Sequence, residues 1–440
     1  MYPVRRVRLS FLSLVCCMIV ALGTGCPRTR PCDYGISVLD IDDSGVDRSI
    51  LDRVYASGQI VGWDDLQASP TRNIVVIPYE TPNYPSNPEV TNDAIVHDFF
   101  KRGTRSLSDY FLEVSYGQYW LENAGISNMV AIDKTTAFFQ VGAPSNDWTQ
   151  NRELHRLICQ GSSIDWGQLD ANKDRRITPN EVQVCFMAAI GHAGACRPST
   201  VTIQHNDADY VIEQRFVFFD CLPENDPRET TEGGNIRYNF PPLTHELLHG
   251  IFWLPDRYGR RSGTGVTGQF DMMSDPYRGM MHLNIHDKMK IGWIRPKVRM
   301  RTSDFGACLS FPASESTAAA LVLNPIFTSM SAGTQCEYWI VENRSIGTSP
   351  QNWDLNFPES GLCVWYVRDI PGRQDEVHLI DAQKPDQKPT NYMDQDAGAL
   401  FKEQSGNSVG SRRLYLSNGE YAGFNFGYIS EEGPEMFGEF

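Results

Sequence analysis

Cationic side chains are in short supply: 39 Lys and Arg stand against 54 Asp and Glu, a formal net charge of −15. Phosphate backbones need a basic surface, so a nucleic-acid partner is not expected. No Cys-x-x-Cys pair occurs, which removes a zinc ribbon from consideration. After the first two dozen residues no apolar run is long enough to span a bilayer. Repeats of fixed period and low-complexity tracts are also missing. What remains is 440 residues of ordinary globular composition, 41% hydrophobic and 21% charged, with room for roughly two or three domains.

The N-terminus has the layout of an export signal over residues 1–26. Arg5, Arg6 and Arg8 precede an apolar core from Phe11 to Leu22 that is too short for a comfortable span. The small residues Gly23-Thr24-Gly25 then lead to Cys26, as in a bacterial lipoprotein cleavage box, with Leu22 one place early. Lipidation of Cys26 would make this a cell-envelope protein whose membrane contact is that lipid; ordinary cleavage would make it secreted. Of the 11 cysteines, Cys16 and Cys17 leave with the signal. Cys32, Cys159, Cys185, Cys196, Cys221, Cys308, Cys336 and Cys363 remain, an even set that allows up to four disulfides in an exported protein. Cys32 is expected in such a bridge rather than covering a metal in a latent form.

Asn73 to Pro78 is a short β-branched run that predicts a buried strand, followed by a Pro/Asn-rich loop from Thr81 to Pro88. From Asn92 to Val114 apolar residues keep one helical face, with Gly103 as a break and Ser106 as a cap for the second half. Tyr119 to Asn123 predicts a strand, Asn151 to Gln160 a helix, and Val201–Ile203 and Tyr210–Phe219 two strands. Beyond Met300 segments such as Glu337–Val341 and Leu362–Val367 turn strand-like between Pro, Gly, Asn and Asp.

One stretch carries most of the chemistry: His245-Glu246-Leu247-Leu248-His249. Residues four apart share a helix face, so both imidazoles can point at one metal ion. Glu246 then stands where it can take a proton from a water activated by that metal, the His-Glu-x-x-His pattern of zinc proteases. A catalytic zinc needs a third protein ligand and a fourth, open position. Asp256, after the turn at Trp253-Leu254-Pro255, is the candidate. In this scheme Glu246 accepts the proton and later passes it to the leaving amine. Phe270-Asp271-Met272-Met273-Ser274 could lay a Met beneath the metal, and Tyr277 could donate to the developing oxyanion.

These residues resemble the immune inhibitor A family of secreted bacterial zinc metalloproteases, relatives of the metzincins. The matching stretches are Ser106 to Gly117, His245 to Tyr258 with Leu254-Pro255-Asp256, Asp271 to Ser274, and His282 to Trp293. Glu337 to Asn343, Ser360-Gly361-Leu362 and Asp396 to Phe401 continue the likeness, which covers most of the chain from about residue 70. The resemblance implies a zinc endopeptidase with Asp as third ligand, a Met-containing turn under the metal, and bound calcium. The chain departs from the family at one point. The family pattern has Gly three residues after the second His and Asp three later; here Gly250 follows His249 directly, Phe252 holds the Gly place, and Asp256 comes one residue late. Either Gly250 begins the break early or the helix runs on by one residue, at the cost of a bulky residue in a left-handed turn.

Asp170 to Glu181 fits the twelve-residue EF-hand loop. Asp170, Asn172 and Asp174 would take positions one, three and five, the Arg176 carbonyl seven, Thr178 nine and Glu181 the bidentate twelfth. Arg175 stands where Gly usually turns. In an exported protein such a loop is a calcium staple rather than a sensor. The acidic run Asp40 to Asp47 lacks that spacing and predicts a solvated segment.

The expected fold is α+β. A metzincin-like catalytic domain over residues 71–300, a twisted mixed sheet with backing and active-site helices, precedes a β-rich domain over 301–440. Residues 27–70 are an acidic segment, either a prosegment or part of the mature protein. The expected function is an exported zinc endopeptidase acting on a protein or peptide laid along a sheet edge. Two alternatives from another class stay open: a catalytically weak or inactive protease-fold surface lipoprotein that binds partners with calcium support, and a calcium-dependent adhesin. Oligomeric state is not legible.

Overall fold

The computed structural model describes residues 36–439 apart from 57–69, 86–90, 136–147, 190–194, 222–239, 259–264, 301–307, 370–373, 383–398, 403–411 and a few shorter positions. The expected signal with Cys16, Cys17 and Cys26, and also Cys32 and Tyr277, lie outside the described residues. No described helix is long and apolar enough to cross a membrane.

The architecture is mixed α/β, with several sheets and few helices. After β1 (Ile36–Ser37) and α1 (Arg48–Ala56), the chain lays down β2 (Thr71–Glu80). Its centre, Ile74-Val75-Val76-Ile77, is buried on both faces, as a continuous β-branched run in a parallel sheet should be. The helical face expected over 92–114 is split. A short α2 (Asn92–Ile95) passes through a π turn at Val96–Phe100 and stops before Gly103, which takes φ +78°. The chain restarts as α3 (Leu107–Val114) from a capping box: Asp109 N donates to Ser106 Oγ at 3.2 Å, and Ser106 N donates to Asp109 Oδ2 at 3.0 Å. Ile95, Phe99, Leu107, Tyr110, Phe111 and Val114 still share one core.

Strands β3 (Trp120–Ile126) and β4 (Val130–Ala131) run parallel to β2. Then come α4 (Trp148–Gly161), α5 (Trp166–Leu169), β5 (Arg176–Ile177), β6 (Gln183–Ala189), β7 (Ala195–His205) and β8 (Ala208–Cys221). The sheet order is β3-β2-β6-β8-β5, with β7 antiparallel along the other side of β8. The β7–β8 turn uses Asn206 and Asp207 at φ +50° and +59°, the left-handed pair a tight hairpin demands. Helix α6 (Phe240–Phe252) packs across this sheet, its Leu247, Leu248 and Ile251 joining Cys185 and Val217 in one core.

The remainder is β-rich, as expected. After β9 (Gly265–Val266), α7 (Ile285–Lys290), β10 (Lys297–Arg299) and β11 (Cys308–Pro312) come β12 (Leu321–Met330), β13 (Gly333–Arg344), β14 (Gly361–Asp369) and β15 (Glu376–Leu379). The hairpin β16 (Arg412–Tyr415) and β17 (Tyr421–Phe426) and a final β18 (Glu435–Glu439) close the chain. The larger sheet of this region, the six-stranded β10-β12-β13-β14-β15-β9, takes two strands from before residue 300. A three-stranded sheet, β1-β11-β18, incorporates the N-terminal segment. Val38 and Val54 are fully buried in the cores on opposite faces of the larger sheet. Between them Asp40, Asp42 and Asp47 are exposed, the solvated run anticipated from their spacing.

The expected set of disulfides needs correction. Cys159, Cys185, Cys196, Cys336 and Cys363 are free thiols, so the eight cysteines can supply one bridge rather than four; Cys308 is disulfide-bonded. Strand geometry explains part of this. Cys185 and Cys196 both sit opposite Val217, on the two sides of β8. Two strand spacings, about 9.6 Å, exceed the ~7 Å reach of a disulfide.

Candidate metal centre

Helix α6 opens on Pro241 and Pro242, which lack the N–H groups that a first turn leaves unbonded anyway. It carries His245, buried, with Glu246 and His249, both half-buried. The two imidazole centroids are 4.5 Å apart with planes at 86°, and their Nε2 atoms are 3.0 Å apart. Of the two ways the chain could leave this helix, it takes the second: α6 runs through Gly250 to Phe252, and Trp253 makes the left-handed turn at φ +56°. Trp253 N donates to His249 O at 3.1 Å and Leu254 N to Leu248 O at 3.4 Å, bonds that close the helix end around a left-handed residue. A bulky side chain there costs roughly 1–2 kcal/mol. The Arg215 guanidinium, 4.1 Å from the Trp253 ring centroid, holds the indole in place. Gly250 therefore does not start the break. A Cβ there would lie 2.9 Å from Val217 Cγ2 and 3.0 Å from Gln183 Oε1; the glycine lets the helix approach the sheet.

From Trp253 the chain folds back as the third-ligand assignment requires. Asp256 Oδ1 lies 3.2 Å from His245 Nε2 and 3.0 Å from His249 Nε2. The other ring nitrogens are committed: His245 Nδ1 to Met272 O at 3.0 Å, His249 Nδ1 to Leu254 O at 2.5 Å. A carbonyl only accepts, so both Nδ1 atoms carry the proton and, in neutral rings, both Nε2 atoms present bare lone pairs. Three electron-rich atoms thus converge within 3.2 Å of one another. A shared cation or added protons make that contact favourable. Ligands at ~2.0–2.1 Å around a tetrahedral zinc are about 3.3 Å apart, so the donor set and spacing fit zinc. Met272 and Met273 are fully buried in the same core as α6, and the Met272 carbonyl, not its thioether, meets His245.

The electrostatics match this convergence. Burial opposes the charged His245 ring, but its bond to Asp256 and the nearby Glu246 carboxylate outweigh that and raise its pKa. Asp256 is also disfavoured by burial, yet the hydrogen bonds that the His245 and His249 rings donate when protonated hold it well below the ordinary carboxylate range. Burial raises Glu246, against the pull of His245 and His249. Helix α6 packs against β7, and burial and then the Glu246 carboxylate push the Cys196 thiol at the start of that strand up to about 12.

Two residues near the site went unassigned in the sequence. Tyr258, 58% exposed, stacks over His245 with ring centroids 6.2 Å apart. Arg257 is fully buried directly after Asp256. Their positions two places and one place beyond Asp256 were the available signal. A second grouping of possible ligands, His286, Asp287 and Asp375, is buried, but Arg257 and Lys290 already pair with its carboxylates.

The loop from Asp170 to Glu181 closes on itself. Asp170 Oδ1 and Oδ2 accept from Asp174 N at 3.1 Å and Arg175 N at 2.9 Å, and Asp174 Oδ1 accepts from Arg176 N at 2.7 Å. Asn172 Oδ1 accepts from Asp174 N at 3.0 Å. Glu181 swings back to accept from Ala171 N and Thr178 N, both at 2.9 Å, and from Thr178 Oγ1 at 3.1 Å. Arg175 takes φ +62°, the turn usually left to Gly. Arg176 and Ile177 tie the loop to β8 through β5.

No family model matches the chain, and no curated protein matches it.

Proposed function

We propose that the chain is an exported zinc-dependent endopeptidase of the metzincin-like, immune inhibitor A type. The observation that carries this is the convergence of His245 Nε2, His249 Nε2 and Asp256 Oδ1 within 3.2 Å, with both Nδ1 atoms bonded to carbonyls. His245, His249 and Asp256 would hold a zinc ion through these three atoms, and the ion would supply Lewis-acid chemistry that polarises a carbonyl and lowers the pKa of water towards ~7. Glu246 accepts the water's proton and returns it to the leaving amine; partial burial raises its proton affinity toward that role. Arg215 and Trp253 fix the turn that brings Asp256 under the helix face. The substrate backbone lies extended along β7, whose outer side is not paired with any described strand and whose Cys196 end adjoins Glu246. A mixed sheet with an antiparallel edge strand, a backing helix and a helix bearing the histidines supports the metzincin-like reading.

Calcium at Asp170, Asn172, Asp174, Arg176 O, Thr178 and Glu181 belongs to the same proposal, as a staple on the loop that β5 ties to β8. So does export with a lipid on Cys26, which metabolic palmitate labelling of wild type and Cys26→Ser reads directly. The decisive test pairs zinc content with casein cleavage by wild type and Glu246→Ala. Zinc in both proteins with cleavage confined to wild type is expected. Unchanged cleavage by Glu246→Ala sinks the mechanism, and zinc-loaded wild type that cleaves nothing favours the binding-protein alternative.

A further inference from the structure

We infer that Asp375, in the link between β14 and β15, is a positioning residue for Asp256, so that the β-rich region forms part of the metal centre. This rests on the zinc reading above. The turn from α6 to Asp256 is one residue longer than the family pattern, and its register must be fixed by something beyond the helix end.

Arg257 supplies that anchor through every polar group it has. Its N–H donates to Met273 O at 2.8 Å, and its carbonyl accepts from Thr267 N at 3.2 Å. The guanidinium is fully buried. It forks onto Asp287, Nη2 to Oδ1 at 2.6 Å and Nε to Oδ2 at 3.3 Å. It also reaches Asp375, donating from Nη1 to the backbone O at 2.8 Å and from Nη2 to Oδ2 at 3.2 Å.

Asp375 is 2% exposed and is itself held from two sides by α7. Lys290 Nζ donates to its Oδ1 at 2.5 Å, and the His286 ring meets its Oδ2. The other ring nitrogen of His286 faces the Tyr338 hydroxyl on β13 at 3.2 Å. A continuous set of bonds therefore runs from the six-stranded sheet through Asp375 to Arg257, the residue that follows Asp256 in the chain. Arg257 and Lys290 are balanced by Asp287 and Asp375. Neutralising Asp375 leaves the fully buried Arg257 and the partly buried Lys290 facing one carboxylate, Asp287, and Arg257 shifts away, carrying Asp256 with it. Groups that orient a metal ligand from behind change metal affinity by roughly 10–100-fold when removed.

The test measures zinc affinity of the full chain by chelator competition, beside thermal unfolding. Asp375→Asn is expected to bind zinc roughly 10–100-fold more weakly while still folded. Lys290→Gln breaks the other ion pair of the same carboxylate without touching Arg257. It is expected to lower the unfolding temperature and keep zinc affinity within about twofold, which a merely structural role for Asp375 would give for both variants. Should Asp375→Asn fail to fold, Arg257→Lys, which keeps the charge and loses the fork, reads the same coupling. Wild-type affinity in the folded Asp375→Asn or Arg257→Lys overturns the inference alone. A wild-type chain that takes up no zinc overturns the metal reading and this inference with it.

Discussion

Adding one methyl group at Gly250 should damage the metal centre more than it damages the fold. The new Cβ would sit 2.9 Å from Val217 Cγ2 and 3.0 Å from Gln183 Oε1, against the ~3.5–4.0 Å at which carbon atoms rest. Neither neighbour can yield. Val217 is fully buried between Cys185 and Cys196 in the sheet ladder, and Gln183 Nε2 is tied to Arg215 O at 2.6 Å. The helix must rise instead. Overpacking of this kind costs about 1–3 kcal/mol, and alanine's better helix propensity returns ~1 kcal/mol. A net loss of roughly 1 kcal/mol is expected in urea titrations followed by circular dichroism. His249 moves with the helix while Asp256 stays on its separate anchor at Arg257, so zinc affinity should fall at least ~10-fold, since ligation tolerates only ~0.2 Å. In a Val217→Ala background the same substitution should cost less, because the nearest clash is gone. If Gly250→Ala were stabilised by ~1 kcal/mol, as at an exposed helix site, with unchanged zinc affinity, the close-approach reasoning would be wrong.

At the left-handed turn, Trp253→Gly should be more stable than Trp253→Ala. Glycine removes a penalty of roughly 1–2 kcal/mol that alanine keeps, while both lose the Arg215 contact; denaturation midpoints in the opposite order would refute the strained-turn account. Saturating the calcium loop at ~100 times its dissociation constant should stabilise the protein by about 2.7 kcal/mol. Glu181→Gln should abolish that gain, and a calcium-independent unfolding temperature in wild type would count against the loop. Burial, then the neighbouring carboxylates, pushes Glu315 up to about 8, against the pull of Arg344. A folded-state pKa above the unfolded value gives stability that is full below ~4.5 and is lost as pH rises towards 8. Glu315→Gln should flatten the stability curve across that window, and an unchanged slope in urea midpoints at pH 5, 6.5 and 8 would refute the assignment.

What the sequence disclosed was local. The His245–His249 spacing, the Ser106 cap with Asp109 three residues on, and the β-branched run of β2 are each written within a few residues, and each forms as expected. The turn to Asp256 was readable as a pair of alternatives, because helix geometry alone does not say whether Gly250 or Trp253 bends. What decided between them is Val217 on β8, 33 positions before Gly250 in the chain, against which the glycine packs. Arg257 drew no assignment for the same reason: its partners Asp287 and Asp375 lie 30 and 118 residues away. The sharing of β9 and β10 with the second region's sheet was hidden because two- and three-residue strands leave no periodicity to read. Cysteine number suggested bridges, but the sheet sets Cys185 and Cys196 two strands apart. Export and lipidation rest on residues ahead of Ile36, and the role of Tyr277 likewise lies outside the described residues.

Crystals of the full chain, grown with zinc and measured on both sides of the zinc absorption edge, give the most direct measurement. An anomalous peak ~2.0–2.2 Å from His245 Nε2, His249 Nε2 and Asp256 Oδ1 is the expected result. Clean density with no peak there, and the two rings turned away from Asp256, would contradict the metal centre and the hydrolytic function built on it.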